Sequence, residues 1–205
     1  MPRPANVVVE YDPPWPEGSR WTTPEVVAPV TPSFAPVVPT FPDARPSAVL
    51  VVLADGPQGA EVLLTRRSMQ LRNHKGEMSF PGGRCDPGET PRETALREAH
   101  EEIGLHPDRP DVVGELEHLS TIVSKSYIVP IVATLDERVE LSPQTMEADR
   151  VMWVPIADLT RPGTYHRERW GIPPLDRPLH FFHLDDETVW GATGRMLVDL
   201  LTLPR

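Results

Sequence analysis

Residues 83–105 read GRCDPGETPRETALREAHEEIGL, and the fold turns on them. Gly83 opens the stretch; Glu89, Arg97-Glu98, Glu101-Glu102 and Gly104-Leu105 follow at fixed offsets, the order of a loop, one helix and its stop. Thr90 is placed as an N-cap, Pro91 stands at the first helical position, and Glu93 completes a capping box three residues after the cap. Gly104 supplies the glycine that ends the helix. Leu96, Ala99 and Ile103 make an apolar stripe to face a core. Glu98, Glu101 and Glu102 lie three and four residues apart, so their side chains share a face and repel one another unless solvent screens them or a cation neutralises them. Arg97, four residues from both Glu93 and Glu101, is set to hold carboxylates in place. An acidic helix face alone is most simply a solvated one; the loop ahead of this one is what points to a site.

These residues resemble the Nudix box, G-x5-E-x7-R-E-U-x-E-E-x-G-U with U a bulky apolar residue, and Gly83, Glu89, Arg97, Glu98, Glu101, Glu102, Gly104 and Leu105 fall in its register. Ala99 departs from it, being small where a bulky residue is usual. Upstream, residues 64–83 read LTRRSMQLRNHKGEMSFPGG. The run is similar to the signature of the coenzyme A pyrophosphatase branch of the superfamily, matched at Leu64-Thr65, Arg67-Ser68, Arg72, Gly76 and Phe80 to Gly83. Arg66, Arg67, Arg72, His74 and Lys75 form a basic island in an acidic chain, and guanidinium groups suit recognition of a substrate with a diphosphate and a ribose phosphate. The segment 190–197, WGATGRML, resembles the branch's C-terminal helix more weakly.

With 205 residues, the chain is long enough for one domain and an appendage. Residues 1–44 hold eleven of the 26 prolines and read as an extended, partly polyproline-like segment, unable to form a regular helix or central strand. Its tryptophans and valines favour packing along the domain or a neighbouring subunit, so a homodimer is an open expectation. The domain proper is expected over 45–205. A formal charge of −10 argues against general nucleic-acid binding. The single cysteine, Cys85, excludes an internal disulfide and fits a reducing compartment. No signal-like or membrane-spanning run is visible, so a cytoplasmic protein without membrane association is expected.

The runs SAVLVVLA and AEVLLTRR flank a DGPQG turn as a hairpin. Residues 111–123, 128–135 and 150–154 read as further strands, 162–178 as loop, and Val189 to Leu200 as a helix. The class is α/β with a mixed sheet between helices; the resemblance implies the Nudix α/β/α sandwich, preceded by the proline-rich arm.

Hydrolysis of a phosphoanhydride needs its charge neutralised, a water positioned and a leaving group stabilised, which Mg²⁺ or Mn²⁺ on carboxylates supplies. The resemblance implies Glu98, Glu101 and Glu102 as metal ligands, joined by the Gly82 carbonyl, with Glu89 and Arg97 bracing loop against helix. Glu147 and Glu98 are both candidates for the general base. Arg66, Arg67 and Arg72 are the candidate substrate-binding residues. Among the late aromatics, Phe181 and Trp190 are expected in the core, and Tyr165 and Trp170 in a pocket. The expected activity is cleavage of coenzyme A or its thioesters to 3′,5′-ADP and 4′-phosphopantetheine or its acyl form. ADP-ribose or NADH as substrate, or a silent nucleotide-sensing module, are the alternatives.

Overall fold

The computed structural model describes all residues except 1, 2, 5, 6, 33, 40, 42, 72, 73, 122, 123, 172–175, 204 and 205. In chain order the elements are β1 (Val8–Glu10), α1 (Thr23–Val27), β2 (Arg45–Gly56), β3 (Gly59–Arg67), β4 (Met78–Ser79), β5 (Gly82–Arg84), α2 (Pro91–Ile103), β6 (Asp111–Glu115), β7 (Leu119–Thr121), β8 (Ser126–Thr134), β9 (Ala148–Pro155), α3 (Ile156–Leu159), β10 (Tyr165–Trp170), β11 (Arg177–His183), β12 (Thr188–Trp190) and α4 (Gly191–Thr202).

The main sheet is mixed, in the order β4-β3-β2-β8-β6, with β9 along β3, β5 along β2 and β7 along β8. Residues 45–53 of β2 run parallel to all of β8, while β3 is antiparallel to both β2 and β9. A strand buried on both faces needs apolar residues at consecutive positions, and β2 meets this by alternation. Ala48, Leu50, Val52 and Ala54 meet Ala95, Ala99 and Ile103 of α2 on one face. Val51 and Leu53 enter the core on the other face, with Met196, Leu197 and Leu200 of α4. Ala99, the small residue where a bulky one is usual, is fully buried beside Ala95 and lets α2 lie close to the sheet.

A second sheet, β1-β10-β11-β12, covers the α4 side. Strands β10 and β11 correct the loop expected over 162–178. All six residues of β10 pair with β11, yet four of them are His, Arg, Glu and Arg. The strand escapes notice because its alternation is charged: Glu168 is met by Arg3 and His166, Arg167 by Glu10, and Arg169 by Asp176. Val189, expected within the last helix, lies in β12.

The proline-rich segment contains a five-residue helix, α1, where only extended chain was expected. Pro24 sits in its first turn, which needs no donor, and the Glu25 carboxylate accepts from the Thr22 N–H and hydroxyl. The segment runs along the domain. Trp15 is 5 % exposed, stacked on Phe182 and edge-on to Tyr165. The Gly18 N–H donates to the Thr160 carbonyl and the Ala60 N–H to that of Trp21. Val26 and Val30 join the same core. Trp15→Ala is expected to lower unfolding free energy by roughly 3–5 kcal/mol, read as a shifted urea midpoint at unchanged slope; a shift worth under about 1 kcal/mol would show that this contact does not hold the core.

Candidate active site

The helix α2 is fixed at both ends as its sequence dictates. The Thr90 hydroxyl accepts from the Glu93 N–H, and the Glu93 carboxylate accepts from the Thr90 N–H at 2.8 Å. Gly104 takes φ +76 and donates to the Ala99 and His100 carbonyls. Glu93 thus serves the cap and is not paired with Arg97, contrary to the four-residue spacing. His100, outside the candidate set, meets only the His106 ring among the described ring contacts.

With its apolar stripe against the sheet, α2 turns Glu98 and Glu102 toward β5, which is held by pairing of Gly82, Gly83 and Arg84 with residues 47–49 of β2. The Gly82 N–H donates to Glu102 Oε2 at 3.2 Å. Gly82 has φ +157, and a Cβ there would lie 2.3 Å from the Ala48 carbonyl oxygen. At Gly83 a Cβ would lie 2.4 Å from Glu98 Oε1. The two glycines therefore let backbone and carboxylates come together where side chains would part them.

Glu102 is 8 % exposed. Burial pushes its carboxyl up to about 7; the Gly82 N–H and Arg67 oppose this, and Glu98 and Glu147 add to it. The Glu98 carboxyl is also raised, first by burial, against the pull of Arg97 and with the push of Glu101 and Glu147. Glu98 thus feels Glu101 and Glu147, and Glu102 feels Glu98 and Glu147. Arg97 ties the loop to the helix: its Nε and Nη2 reach both Glu89 oxygens at 2.7 and 3.0 Å, its Nη1 reaches Glu98 and Glu101, and Nη2 also reaches the Arg84 carbonyl. This guanidinium, then the Asp86 N–H and the Thr94 hydroxyl, hold the Glu89 carboxyl at about 2.

The arginines expected to act together are separated by the strand period. Leu63 of β3 faces α2, whereas Val62 and Leu64 face the other core. Arg66 follows the second set and is engaged by Asp149 at 2.7 Å and Glu187 at 2.9 Å. Arg67 follows the first, with Nη2 4.0 Å from Glu147 Oε2; its Nε is buried without a partner. An irregularity between Arg66 and Arg67 leaves Asp149 as an extra residue on β9, from which it reaches Arg66 and the Met69 N–H. Arg72 lies outside the described residues. His74 is 2.8 Å from Glu77. Period-two alternation from Leu63 was the signal that could have singled out Arg67. Burial pushes the Cys85 thiol up, away from nucleophile chemistry. Tyr165 is in the core with Phe182, while Phe181 and Trp190 stack on the opposite face of the second sheet, the reverse of expectation for Tyr165, Phe181 and Trp190.

Among the described residues no three His, Cys, Asp or Glu side chains converge tightly enough to hold a metal ion as they stand. The donor set nevertheless fits a hard divalent cation. It is made of carboxylate oxygens and a glycine backbone, and one of its acids, Glu102, is pushed toward neutrality first by burial and then by the charges of Glu98 and Glu147.

A NUDIX domain family model matches residues 44–174. The chain belongs to the Nudix family. Nudix hydrolase 3 of Caenorhabditis elegans is 36 % identical over 173 residues, covering 76 % of this chain and 72 % of that one. Mouse peroxisomal coenzyme A diphosphatase NUDT7 is 34 % identical over 161 residues, covering 74 % and 66 %. The NudL Nudix hydrolase of Photorhabdus laumondii is 32 % identical over 158 residues, covering 76 % and 83 %. Among solved structures, a MutT/nudix family protein from Enterococcus faecalis superposes with a TM-score of 0.54 at 17 % identity, over 80 % of this chain and 62 % of that one, a likeness of fold. This Nudix protein is accordingly a hydrolase of a nucleoside diphosphate derivative, in a family that generally requires a divalent metal such as Mg²⁺ or Mn²⁺. No helix among the described residues is long and apolar enough to cross a membrane.

Two outcomes follow from this geometry. In the metal-free protein the Glu102 carboxyl lies at about 7 against an ordinary 4.5. Its contribution to stability is complete below pH 4.5 and is lost as pH rises through 7. Glu102→Gln should therefore abolish activity yet stabilise the metal-free protein at pH 8 by roughly 1–3 kcal/mol, with little gain at pH 4; urea unfolding in EDTA at the two pH values measures this. Arg97→Lys cannot reproduce the fork on Glu89 while reaching Glu98 and Glu101. It should cut kcat about 10–100-fold and raise the metal concentration at half-activity, as read from steady-state rates across a Mg²⁺ titration.

Proposed function

We propose that this Nudix hydrolase opens the diphosphate of coenzyme A or an acyl-coenzyme A, releasing 3′,5′-ADP and 4′-phosphopantetheine or its acyl form. The observation that carries this reading is Arg67. It belongs to the upstream run that resembles the coenzyme A branch, and its guanidinium stands at the edge of the acid cluster with a buried, unpartnered Nε. The rest of the Arg67 side chain is partly exposed, and its outer guanidinium nitrogens are fitting donors to a phosphate oxygen. The name of the mouse relative, a coenzyme A diphosphatase, points the same way.

In this reading Glu98, Glu101, Glu102 and the Gly82 carbonyl would hold Mg²⁺ or Mn²⁺. The bound ion would supply charge neutralisation on the diphosphate. Arg67 orients one phosphate. Glu147, 61 % exposed in its side chain, takes a proton from the attacking water, since Glu98 is already engaged by Arg97. The water oxygen bonds to phosphorus, the bridging P–O bond breaks, and the second phosphate leaves as a monoester. Arg97 and Glu89 keep the loop and helix in register throughout.

One observation favours the broader reading of another nucleoside diphosphate derivative, such as ADP-ribose or NADH. Arg66 is taken up by Asp149 and Glu187, so it offers no second guanidinium for a ribose 3′-phosphate. Mass-spectrometric analysis of products from coenzyme A, ADP-ribose and NADH, with Mg²⁺ or Mn²⁺, separates the two. 3′,5′-ADP and phosphopantetheine are expected with coenzyme A, and neither with Glu101→Gln. Cleavage of ADP-ribose or NADH alone would overturn the substrate assignment and leave the Nudix chemistry standing.

A further inference from the structure

Strand β9 changes register against β3 at the point where Arg67 and Glu147 meet. From Glu61 opposite Pro155 to Arg66 opposite Arg150, each step along β3 is matched by one step back along β9; Arg67 then pairs with Ala148. The Ser68 N–H carries the shift on by donating to the Glu147 carbonyl at 2.7 Å. An unbroken antiparallel ladder would set Asp149 opposite Arg67, and Glu147 one place farther along, opposite Met69. Asp149 is the extra residue, and such a bulge re-aims the side chains around it. Here it brings the Glu147 carboxylate to 4.0 Å from Arg67 Nη2, and both groups act on the buried Glu102.

The main chain of Arg67 is pinned on its other side. Its N–H donates to the Glu77 carbonyl and its carbonyl accepts from the Gly76 N–H, both at 2.9 Å. The register of β9 is therefore what decides which acid Arg67 meets. The Asp149 carboxylate holds that register with both oxygens: Oδ1 accepts from Arg66 Nε at 2.7 Å and Oδ2 from the Met69 N–H at 3.3 Å. Arg66 above all, and then the Met69 N–H, keep this carboxyl below its ordinary range, against a small effect of burial. Drawn into the ladder, Asp149 would face Arg67 as a cross-strand ion pair and occupy the guanidinium itself. We propose that Asp149 is a positioning residue: it holds the bulge that sets the Glu147 carboxylate beside the Arg67 guanidinium, so that base and phosphate-binding group are presented together. This rests on the reading above in which Glu147 takes the proton and Arg67 orients a phosphate; it is independent of which diphosphate is the substrate.

The test is a double-mutant cycle on kcat and KM, run with Mg²⁺ on whichever of coenzyme A, ADP-ribose and NADH the protein cleaves. Asp149→Ala is expected to lower kcat about tenfold, with KM changed less than about threefold. Asp149→Asn, which keeps an oxygen for the Met69 N–H, recovers most of that loss. In a Glu147→Gln background, itself slow, Asp149→Ala costs less than about twofold, because the group it positions is already gone. Asp149→Ser, its oxygen too short to span both donors, reads the same cycle should the alanine variant melt below the assay temperature. An equal loss in both backgrounds, no loss in Asp149→Ala, a loss carried by KM alone, or an asparagine variant as slow as alanine overturns the positioning role and leaves the base assignment standing. Glu147→Gln at the wild-type rate overturns that assignment and the proposal with it.

Discussion

Glu98, Glu101 and Glu102 crowd one side of α2, and a helix so loaded is held together only because its other contacts bear the repulsion. The capping box and the left-handed glycine anchor its ends, and Ala95, Ala99 and Ile103 bury its back. Arg97 spreads one positive charge over Glu89, Glu98 and Glu101. What Arg97 does not balance is Glu102, shut from solvent with a single backbone donor. Stability of the metal-free fold and competence of the site therefore pull in opposite directions on that one carboxyl. The two-sided burial of β2 is what makes the arrangement possible, since it fixes both the floor beneath α2 and the partner strand for Gly82 and Gly83.

The Nudix helix and its caps were legible because they rest on local rules, namely a cap residue, a capping acid, a terminal glycine and a 3.6-residue stripe. The hairpin of β2 and β3 was equally plain, since unbroken apolar runs on both sides of a turn have few other uses. Strand β10 was hidden because its alternation is ionic, and ion pairs such as Arg3 with Glu168 join residues far apart in the chain. No window of sequence holds both partners of that pair. The short α1 was hidden for the opposite reason: proline content argued against helix on average, whereas position within the first turn is what decides.

The site divided along the same line. The spacing of the glutamates on α2 put them on one face, as a helix must. Counting Arg66 with Arg67 ignored the two-residue period of the strand that carries them, which sends one toward the acids and the other toward Asp149 and Glu187. The aromatic assignments failed similarly: Tyr165 pairs with Phe182 across β10 and β11 and shares its core face, whereas the adjacent Phe181 faces the other side with Trp190.

The proline-rich segment changes how the protein must assemble. Trp15 packs against both Tyr165 and Phe182, and Arg3 clasps Glu168 across 165 residues of chain. Contacts of such sequence separation close large loops and fold slowly. During synthesis the early aromatic surface of the arm would wait, uncovered, until strands β10 and β11 had emerged. The main sheet and α2 can be complete well before then. Final closure of the α4 side is therefore a late event, and the interval before it is when the growing chain is most open to wrong partners.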